Sequence, residues 1–329
     1  MMGRARNARW LAASLTALSL TLATSWATAA SAPDPSITEK APKLTGVLLY
    51  HHYTSYRNWD SQLMMLNLAT GRIANISKNW KVIHAMNGHF SPDGTSIVFM
   101  GSKAGIKDWD IFITHFDGSR WVEPTNLTGP NGKRDEDPKF APDGKSIAYK
   151  TDGALKVMDT SGGVLAQYTN GSPEASMPYF LPDDSGILYE SNNSIMLHSN
   201  SGERLIWGGA GKSAYYPIAL TARDFLFTET QKSHADRIMY GNVDGSAVPL
   251  FFDSVVWDSS DPYPYQDGSN YIFYVSTDRV TGFGGYDLVL ADLKKKKVWN
   301  LWTLNHKINT ALEELGPSWS ALAQYPRAV

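Results

Sequence analysis

The sequence predicts an all-β fold, a six-bladed β-propeller of four-stranded antiparallel blades. Three observations predict it: a phrase that recurs along the chain, the spacing between its copies, and two chain ends that complement each other. Residues 89–99 (HFSPDGTSIVF) return as residues 139–149 (KFAPDGKSIAY), and weaker copies occupy 178–184 and 265–274. A period of about 40 to 50 residues is that of a propeller blade.

Each copy of this recurring phrase predicts two strands joined by a tight turn. Pro-Asp-Gly presets the turn dihedrals, and the run that follows, such as residues 97–99, has the composition of a strand. A third strand follows, as in residues 109–114, and an Asp-Gly turn at 117–118 leads to a fourth. Four such strands make one blade. Five blades are predicted in this way, near residues 81–127, 128–170, 171–209, 210–252 and 253–304.

The two chain ends together supply the sixth blade. Residues 44–80 hold three strands but lack the opening strand, which is the first strand of a blade and leads into the Pro-Asp-Gly turn. Residues 316–320 resemble such an opening strand without the rest of a blade. If they pair, N- and C-terminal strands share one blade, and the closed ring leaves no exposed edge at the junction. The propeller is expected to span residues 44–329.

The first 29 residues are set apart from this fold. Arg4, Arg6 and Arg9 precede an apolar run over residues 11–23, and small residues at 27–29 offer a cleavage site. This order predicts a secretory signal peptide over 1–29, followed by a linker over 30–43, because the apolar run is too short to span a bilayer. A retained N-terminal anchor is the alternative. The mature chain is expected to be periplasmic or secreted, without a transmembrane segment.

Charge and cysteine content narrow the partner classes. Loss of the three signal arginines reduces the basic residues from 30 to 27, against 32 acidic residues. An acidic mature chain does not favour nucleic acid as a partner, since phosphate binding needs a basic surface. Cysteine is absent, which excludes thiol nucleophiles and thiolate metal sites. The 16 tyrosines and 11 tryptophans include candidate platforms for sugar rings.

The recurring phrase resembles a known repeat. The pattern Phe-Ser-Pro-Asp-Gly-x-x-Ile-x-Phe is similar to the WD40-like PD40 repeat of TolB-like propellers, and residues 276–279 with 284–288 resemble the usual middle of that repeat. The resemblance covers about residues 44–321. It implies a six-bladed propeller but no single activity, because such propellers include scaffolds, binding proteins, peptidase gates and polysaccharide lyases.

The first strand of most blades contains a proline of its own, such as Pro138, which comes before the Pro-Asp-Gly turn. The residue just before that proline is expected to face the central channel. Aligning the blades puts six residues there: Asn87, Asp137, Met177, Tyr216, Asp261 and Gly316. Asp137 and Asp261 fall three blades apart and are expected to face each other across the axis. Two such carboxylates would suit acid–base catalysis or a hard cation such as calcium. The competing interpretation is that they accept hydrogen bonds from backbone N–H groups at loop ends.

The connections between second and third strands are expected on the same face as this ring. They are long in blades five, six, one and two and short in blades three and four, which predicts a groove walled on one side, a shape that suits a polymer. The blade-one connection holds His52, Tyr53 and Arg57, which could act in a lyase as base and as carboxylate-binding group. His51 and His52 cannot both face the channel, because neighbouring residues of a strand point to opposite faces. A binding surface or packed lid is the alternative interpretation of this aromatic loop.

The candidate site residues fall into two groups. Asp137, Asp261, His52, Tyr53 and Arg57 are the candidate catalytic residues, and Tyr56, Trp59, His84, Asn87, Trp109, Glu136, Tyr216 and Arg279 are the candidate ligand-binding residues. The histidines lack metal-ligand spacing, and phosphate-loop, dinucleotide and Gly-x-Ser-x-Gly motifs are absent. The cofactor is therefore unknown, and a divalent cation such as calcium is not indicated by any motif.

Two functions from different classes remain open. One is a non-catalytic propeller that binds a polysaccharide, an oligosaccharide or an envelope protein at the axial mouth and the one-sided groove. The other is a carbohydrate-active enzyme that uses the same face, either a polysaccharide lyase or a glycoside hydrolase. The shape of a propeller argues for neither.

Overall fold

The computed structural model describes residues 39–103, 108–209, 211–230, 235–252, 257–266, 269–277 and 285–327. Over these residues the chain is all β apart from short 3-10 turns at Tyr56–Asn58 and Leu301–Thr303. In the same ranges no helix has the length and apolar character needed to cross a membrane. The predicted signal peptide, most of the predicted linker and Arg279 lie outside the described residues.

Twenty-four strands form six antiparallel sheets of four. In chain order they are Val47–Tyr53 (β1), Gln62–Asn67 (β2), Ile73–Asn75 (β3), Val82–Phe90 (β4), Ser96–Lys103 (β5), Asp110–His115 (β6), Thr125–Asn126 (β7), Asp135–Phe140 (β8), Ser146–Thr151 (β9), Ala154–Asp159 (β10), Val164–Gln167 (β11), Ala175–Phe180 (β12), Gly186–Ser191 (β13), Ser194–Ser199 (β14), Gly202–Trp207 (β15), Ser213–Ala219 (β16), Asp224–Thr230 (β17), Arg237–Asn242 (β18), Ala247–Pro249 (β19), Asp258–Pro264 (β20), Tyr271–Thr277 (β21), Asp287–Asp292 (β22), Lys297–Asn300 (β23) and Glu313–Ser320 (β24). Blade one is β24-β1-β2-β3, and blades two to six are β4–β7, β8–β11, β12–β15, β16–β19 and β20–β23. The predicted fold class is confirmed.

Blade one closes the ring with strands from both chain ends. Strand β24 pairs antiparallel with β1, with Val47 opposite Ser320 and Tyr53 opposite Glu313. Strand β24 also contacts the innermost strands on either side, β4 of blade two and β20 of blade six. The shared blade is as the sequence predicts, and its closure protects an edge that would otherwise be open to pairing with another chain.

The recurring phrase forms the same turn in blades two and three. Gly94 and Gly144 both have a φ of +69°, which glycine adopts without the steric penalty of a Cβ. The aspartate before each glycine stabilises the turn, since Asp93 Oδ1 accepts the Thr95 N–H at 3.0 Å and Asp143 Oδ1 accepts the Lys145 N–H at 2.8 Å. The phrase thus ends one strand, turns and begins the next.

The hydrophobic core lies between neighbouring blades. Between blades one and two, the buried side chains of Leu49, Leu63, Phe99, Phe112 and Trp121 belong to one cluster. Burial of each such side chain contributes about 1.5–3 kcal/mol. Because each sheet packs against the next, the blades hold their inner strands at fixed positions around the channel.

The C-terminal segment after β24 crosses from blade one onto blade two. The Trp121 indole N–H donates to the Gln324 carbonyl at 3.2 Å, and the Arg327 N–H donates to the Ser119 carbonyl at 3.0 Å. A Cβ on Gly94 would lie 2.4 Å from the Ala323 nitrogen. This glycine therefore permits close backbone contact as well as the turn.

Candidate functional site

Each of the six innermost strands carries the same irregularity. One residue of each strand has a positive φ, and the register with the second strand slips by one residue there, as in a β-bulge. The residues and φ values are Asn87 (51°), Asp137 (55°), Met177 (52°), Tyr216 (50°), Asp261 (50°) and Gly316 (62°). These are the six positions that the blade alignment assigns to the channel.

Proline explains why the bulge falls at this position. Proline follows the positive-φ residue in five blades, and Gly88 follows it in blade two. A proline has no N–H for the ladder, so within sheets it is confined to edges, strand starts and bulges. A left-handed conformation costs a residue other than glycine about 1–3 kcal/mol. Met177 and Tyr216 therefore keep strained backbones at the channel.

The bulges surround a cavity of about 430 Å³ at one end of the channel, which we call the mouth cavity. In five blades, two residues of the bulge line the mouth cavity: the positive-φ residue and the residue before it. The residues before the bulge are Met86, Glu136, Ser176, Tyr215, Ser260 and Leu315. Five tyrosines line the cavity: Tyr53, Tyr56, Tyr215, Tyr216 and Tyr286.

Hydrogen bonds join neighbouring bulges around the mouth. The Asn87 side-chain amide donates to Asp137 Oδ1 at 2.9 Å, which links blades two and three. The Gly316 N–H donates to Asp261 Oδ2 at 3.2 Å, which links blades one and six. The Asn87 N–H donates to His51 Nδ1 at 3.4 Å. Both candidate catalytic carboxylates thus accept at least one structural hydrogen bond and line the cavity as well.

Beneath the mouth lies the amine of a half-buried lysine. Lys139 lines a smaller cavity of about 40 Å³ together with Tyr216 and Asp261. Burial lowers the pKa of the Lys139 amine, and the charges of Asp137 and Asp261 oppose that shift. Burial raises the pKa of the Asp261 carboxyl from 3.8 to about 6. The mouth therefore contains an acid that changes protonation in the mildly acidic range.

One wall of the mouth cavity is a chain of alternating charges on blades three and four. Arg134 Nε lies 2.6 Å from Glu136 Oε1, Lys150 bonds the other oxygen of Glu136, and Lys150 Nζ lies 2.8 Å from Glu174 Oε1. The hydrogen bond from Lys150 lowers the pKa of the Glu174 carboxyl. These four charges compensate one another, so the wall is polar without being strongly cationic or anionic.

The blade-one connection packs an aromatic cluster beside the mouth. The rings of Trp59 and Trp109 stack at 5.1 Å, and Tyr56 lies 6.1 Å from Trp109. His84 is fully buried 4.7 Å from Trp109, and its Nδ1 accepts the Ser61 N–H at 2.9 Å. Burial lowers the pKa of His84 to about 4, so the ring is neutral. Of the four rings, Tyr56 alone lines the mouth cavity, with 44% of its surface exposed.

The structure separates the three residues considered for a lyase. Tyr53 lines the mouth cavity, whereas His52 and Arg57 do not. Arg57 is exposed, and its backbone N–H donates to Ser55 Oγ at 3.3 Å. His51, the neighbour of His52, faces the cavity and is 2% exposed. The alternation along β1 thus directs His51 to the axis.

The walls of the predicted one-sided groove are described only in part. Blades three and four have two-residue turns between their second and third strands, at 152–153 and 192–193. The blade-one connection over 54–61 is long. The corresponding connections of blades two, five and six include residues 104–107, 231–234 and 278–284, which lie outside the described part of the chain.

No metal site is recognised in the described residues, since no three His, Asp or Glu side chains there have an arrangement that could hold an ion.

The opposite end of the channel is an apolar cavity of about 380 Å³, which we call the lower cavity. It is lined by residues of the recurring phrase, namely Phe90, Pro92, Phe140, Pro142, Phe180 and Pro182, and by Trp319. His89 lies between the two ends, where its Nδ1 accepts the Phe140 N–H at 3.2 Å and its Nε2 lies 3.4 Å from the Tyr263 hydroxyl.

Comparisons with known proteins support the fold. The structure is similar to TolB from Acinetobacter baumannii, with a TM-score of 0.65, 14% identity, and coverage of 85% of this chain and 68% of that chain. It is also similar to hydrazine synthase of Kuenenia stuttgartiensis, with a TM-score of 0.66, 14% identity, and coverage of 88% of this chain and 48% of that chain. The protein therefore has a TolB-like six-bladed propeller fold. Identities this low establish the fold alone.

Sequence comparisons add little beyond the fold. No protein-family model matches the chain. A stretch of 117 residues is 26% identical to the uncharacterized peptidase YuxL of Bacillus subtilis. This match covers 32% of the chain and 17% of the relative, so the chain spans a small part of that protein's length.

Proposed function

We propose that this chain is a periplasmic or secreted TolB-like propeller that binds a polysaccharide at the mouth cavity. The observation that carries the proposal is the lining of that cavity: five tyrosines beside charged side chains that are already paired with one another. Tyrosine offers an apolar ring face and a polar hydroxyl in one side chain. This combination suits a sugar, which has apolar C–H faces and hydroxyl edges. The basic and apolar N-terminal residues support export.

The charge of the mouth favours a neutral or amino-bearing polymer. Its charged lining residues are Arg134, Lys150, Glu136, Glu174, Asp137 and Asp261. Lys139 adds one cation beneath them. With Asp261 ionised, carboxylates outnumber cations, and this excess of negative charge repels a polyuronate. An envelope protein is the second partner class, and a specific protein interface would cover a surface much wider than this cavity.

The binding proposal is tested by calorimetric titration of the purified mature chain with three soluble polymers: a neutral glucan, a chitosan and a polyuronate. We expect the glucan or the chitosan to bind best. Tyr56→Ala removes the most exposed of the cavity aromatics and is expected to weaken binding about tenfold, the size of a lost aromatic contact. Trp302→Ala is the matched control, since Trp302 is 37% exposed but stacks on His306 away from the cavity. Tightest binding of the polyuronate, or equal affinities for both variants, would contradict the proposal.

A glycoside hydrolase is the second candidate, favoured by one observation. Asp261 is 8% exposed, has a pKa raised to about 6, and shares the mouth cavity with Asp137. A carboxylic acid with a pKa of about 6 is protonated at mildly acidic pH. There it can donate a proton to a leaving glycosidic oxygen, while a second carboxylate acts as base or nucleophile. The lyase form has less support, because Arg57 is away from the cavity and burial raises the pKa of Tyr53, which makes that phenol a weaker source of base at neutral pH.

The hydrolase candidate predicts release of reducing ends from a neutral polysaccharide, with activity that declines above about pH 6 as Asp261 loses its proton. Asp261→Asn is expected to abolish that release, whereas Asp143→Asn, in an exposed turn, is expected to leave it unchanged. Equal activity of Asp261→Asn and the parent chain would exclude this mechanism. Binding without any release of reducing ends would support the recognition function instead.

A further inference from the structure

A second groove lies on the outer flank of the propeller, between blades three and four. Its volume is about 530 Å³, and it shares no residue with the mouth cavity. One side is formed by the end of β11 and the connection to β12, and the other by side chains of β13, β14 and β15 in blade four. We call it the flank groove, and its lining includes Gln167, Tyr168, Asn170 and Glu203.

The flank groove contains an exposed aromatic ring that is held in place. Tyr168 is 39% exposed, and its ring lies 4.0 Å from the ring of His198. Its backbone N–H donates to the Leu155 carbonyl at 2.9 Å, which ties the residue to the third strand of its blade. A ring fixed before binding loses little conformational freedom when a ligand stacks on it.

Two side-chain amides in the groove have defined orientations. Gln167 Nε2 donates to the Thr169 carbonyl at 2.9 Å, so the nitrogen of Gln167 must be at that position. Asn170 Oδ1 accepts the Ser172 N–H at 3.1 Å, so the oxygen of Asn170 must be there. Among the described residues, the Gln167 carbonyl oxygen and the Asn170 amino group have no other partner. The groove therefore presents an acceptor and a donor next to one aromatic ring.

The charge of the groove restricts its ligand further. Glu203 is the only charged residue of the lining, and its Oε1 lies 3.9 Å from His198 Nδ1. No lysine or arginine contributes to the lining described here. A phosphate, sulfate or uronate would enter without a compensating cation and lose its hydration, which is unfavourable. A neutral ligand rich in hydroxyl groups meets no such penalty.

We propose that the flank groove binds a neutral oligosaccharide, with a pyranose ring on Tyr168 and neighbouring hydroxyls between the Gln167 carbonyl and the Asn170 amino group. Each sugar hydroxyl both donates and accepts, which matches this pair of amides. The site is separate from the mouth cavity in its residues, so it exists whether or not the mouth binds a polymer.

The test is titration with maltoheptaose, cellohexaose and xylohexaose, with amide hydrogen exchange as the readout of location. We expect at least one of them to slow exchange over residues 167–172. Tyr168→Ala and Asn170→Ala are expected to weaken that binding about tenfold, and Tyr168→Phe is expected to retain most of it. Leu165→Ala is the control, because Leu165 is 61% exposed on β11, just before Tyr168, but outside the groove. Thermal melting of each variant confirms that it is folded.

The result that overturns this inference is the absence of protection at 167–172 with all three oligosaccharides, or an affinity for Tyr168→Ala equal to that for Leu165→Ala. Failure of the mouth proposal is distinguished by location, since the mouth is read separately at residues 134–137 and through Tyr56→Ala. Protection at 167–172 that survives Tyr56→Ala supports the flank groove alone.

Discussion

The two ends of the axial channel are built from different parts of the same repeat. The lower cavity is lined by residues that recur in blades two, three and four: a phenylalanine at 90, 140 and 180 and a proline two positions later. At the mouth, the equivalent bulge position holds a different type of residue in most blades. The recurring residues form the scaffold, and the variable ones give the mouth its chemistry. The mouth, where the repeat diverges, is therefore the end expected to carry the function.

The largest expected effect comes from the scaffold end. Phe140 is 5% exposed and packs in a buried cluster shared by blades two and three. Phe140→Ala is expected to lower the free energy of unfolding by about 3–5 kcal/mol through the cavity it leaves, measured by urea denaturation. Affinity for a polysaccharide at the mouth is expected to stay unchanged in the folded fraction. A loss of affinity as large as that of Tyr56→Ala would mean that the two ends are not functionally distinct.

The next effect belongs to the mouth and depends on pH. Because the pKa of Asp261 is raised from 3.8 to about 6, the folded chain holds this proton more tightly than the unfolded chain does. The stability due to the protonated form is present below about pH 4 and is lost as the pH rises through about 6. Asp261→Asn keeps the shape without the charge, so it is expected to match the parent at pH 4 and to exceed it by up to about 3 kcal/mol at pH 7.5.

Denaturation at both pH values checks this prediction. Asp143→Asn, in the exposed turn of the phrase, is the control, and because it retains Asp261 it is expected to show the same dependence of stability on pH as the parent. An Asp261→Asn variant less stable than the parent at pH 7.5 would show that the carboxylate is favourably paired in the folded chain.

A smaller effect separates two copies of the same turn. Gly144→Ala is expected to cost about 1 kcal/mol from its left-handed backbone alone, since its Cβ would lie 3.4 Å from Pro92 Cδ. Gly94→Ala has the same φ, but its Cβ would meet the backbone of Ala323 at 2.4 Å. Gly94→Ala is therefore expected to cost more and to release the C-terminal segment, seen as faster removal by carboxypeptidase. Equal cleavage of the two variants would contradict the docking of that segment.

The smallest effect tests the strain at the mouth. Met177 has a φ of 52°, where glycine is favoured over any residue with a Cβ. Met177→Gly is expected to be more stable than Met177→Ala by about 1 kcal/mol, the reverse of the usual order within strands. Thermal unfolding of the two variants measures this difference. If the alanine variant is the more stable, the bulge relaxes and the left-handed geometry is not imposed by the fold.

The phrase was sufficient to predict the blades, because Pro-Asp-Gly and the alternating strands are local signals. It also located one ring of mouth residues, since the proline that follows marks the bulge. The second ring, at Glu136 and its equivalents, was missed as a set because a bulge directs two successive residues toward the axis. Lys150 and Glu174 come from a second strand and an interblade connection. Their approach to Glu136 depends on tertiary packing that no local pattern encodes.

The choice between His51 and His52 shows the same limit. Alternation along a strand predicts that only one of them faces the channel. Which one does so is set by the pairing of β1 with β24. That pairing joins residues at least 260 positions apart. The flank groove was missed for a similar reason, because its lining comes from two blades.

The most direct test of the mouth as the functional end is amide hydrogen exchange of the mature chain with and without the tightest-binding soluble polysaccharide. The account predicts slower exchange at residues 134–137, 176–177 and 215–216, where the bulges line the mouth cavity. Residues 89–92 and 140–142, which line the lower cavity, are expected to be unaffected. Protection of those residues without any at the mouth would contradict the account.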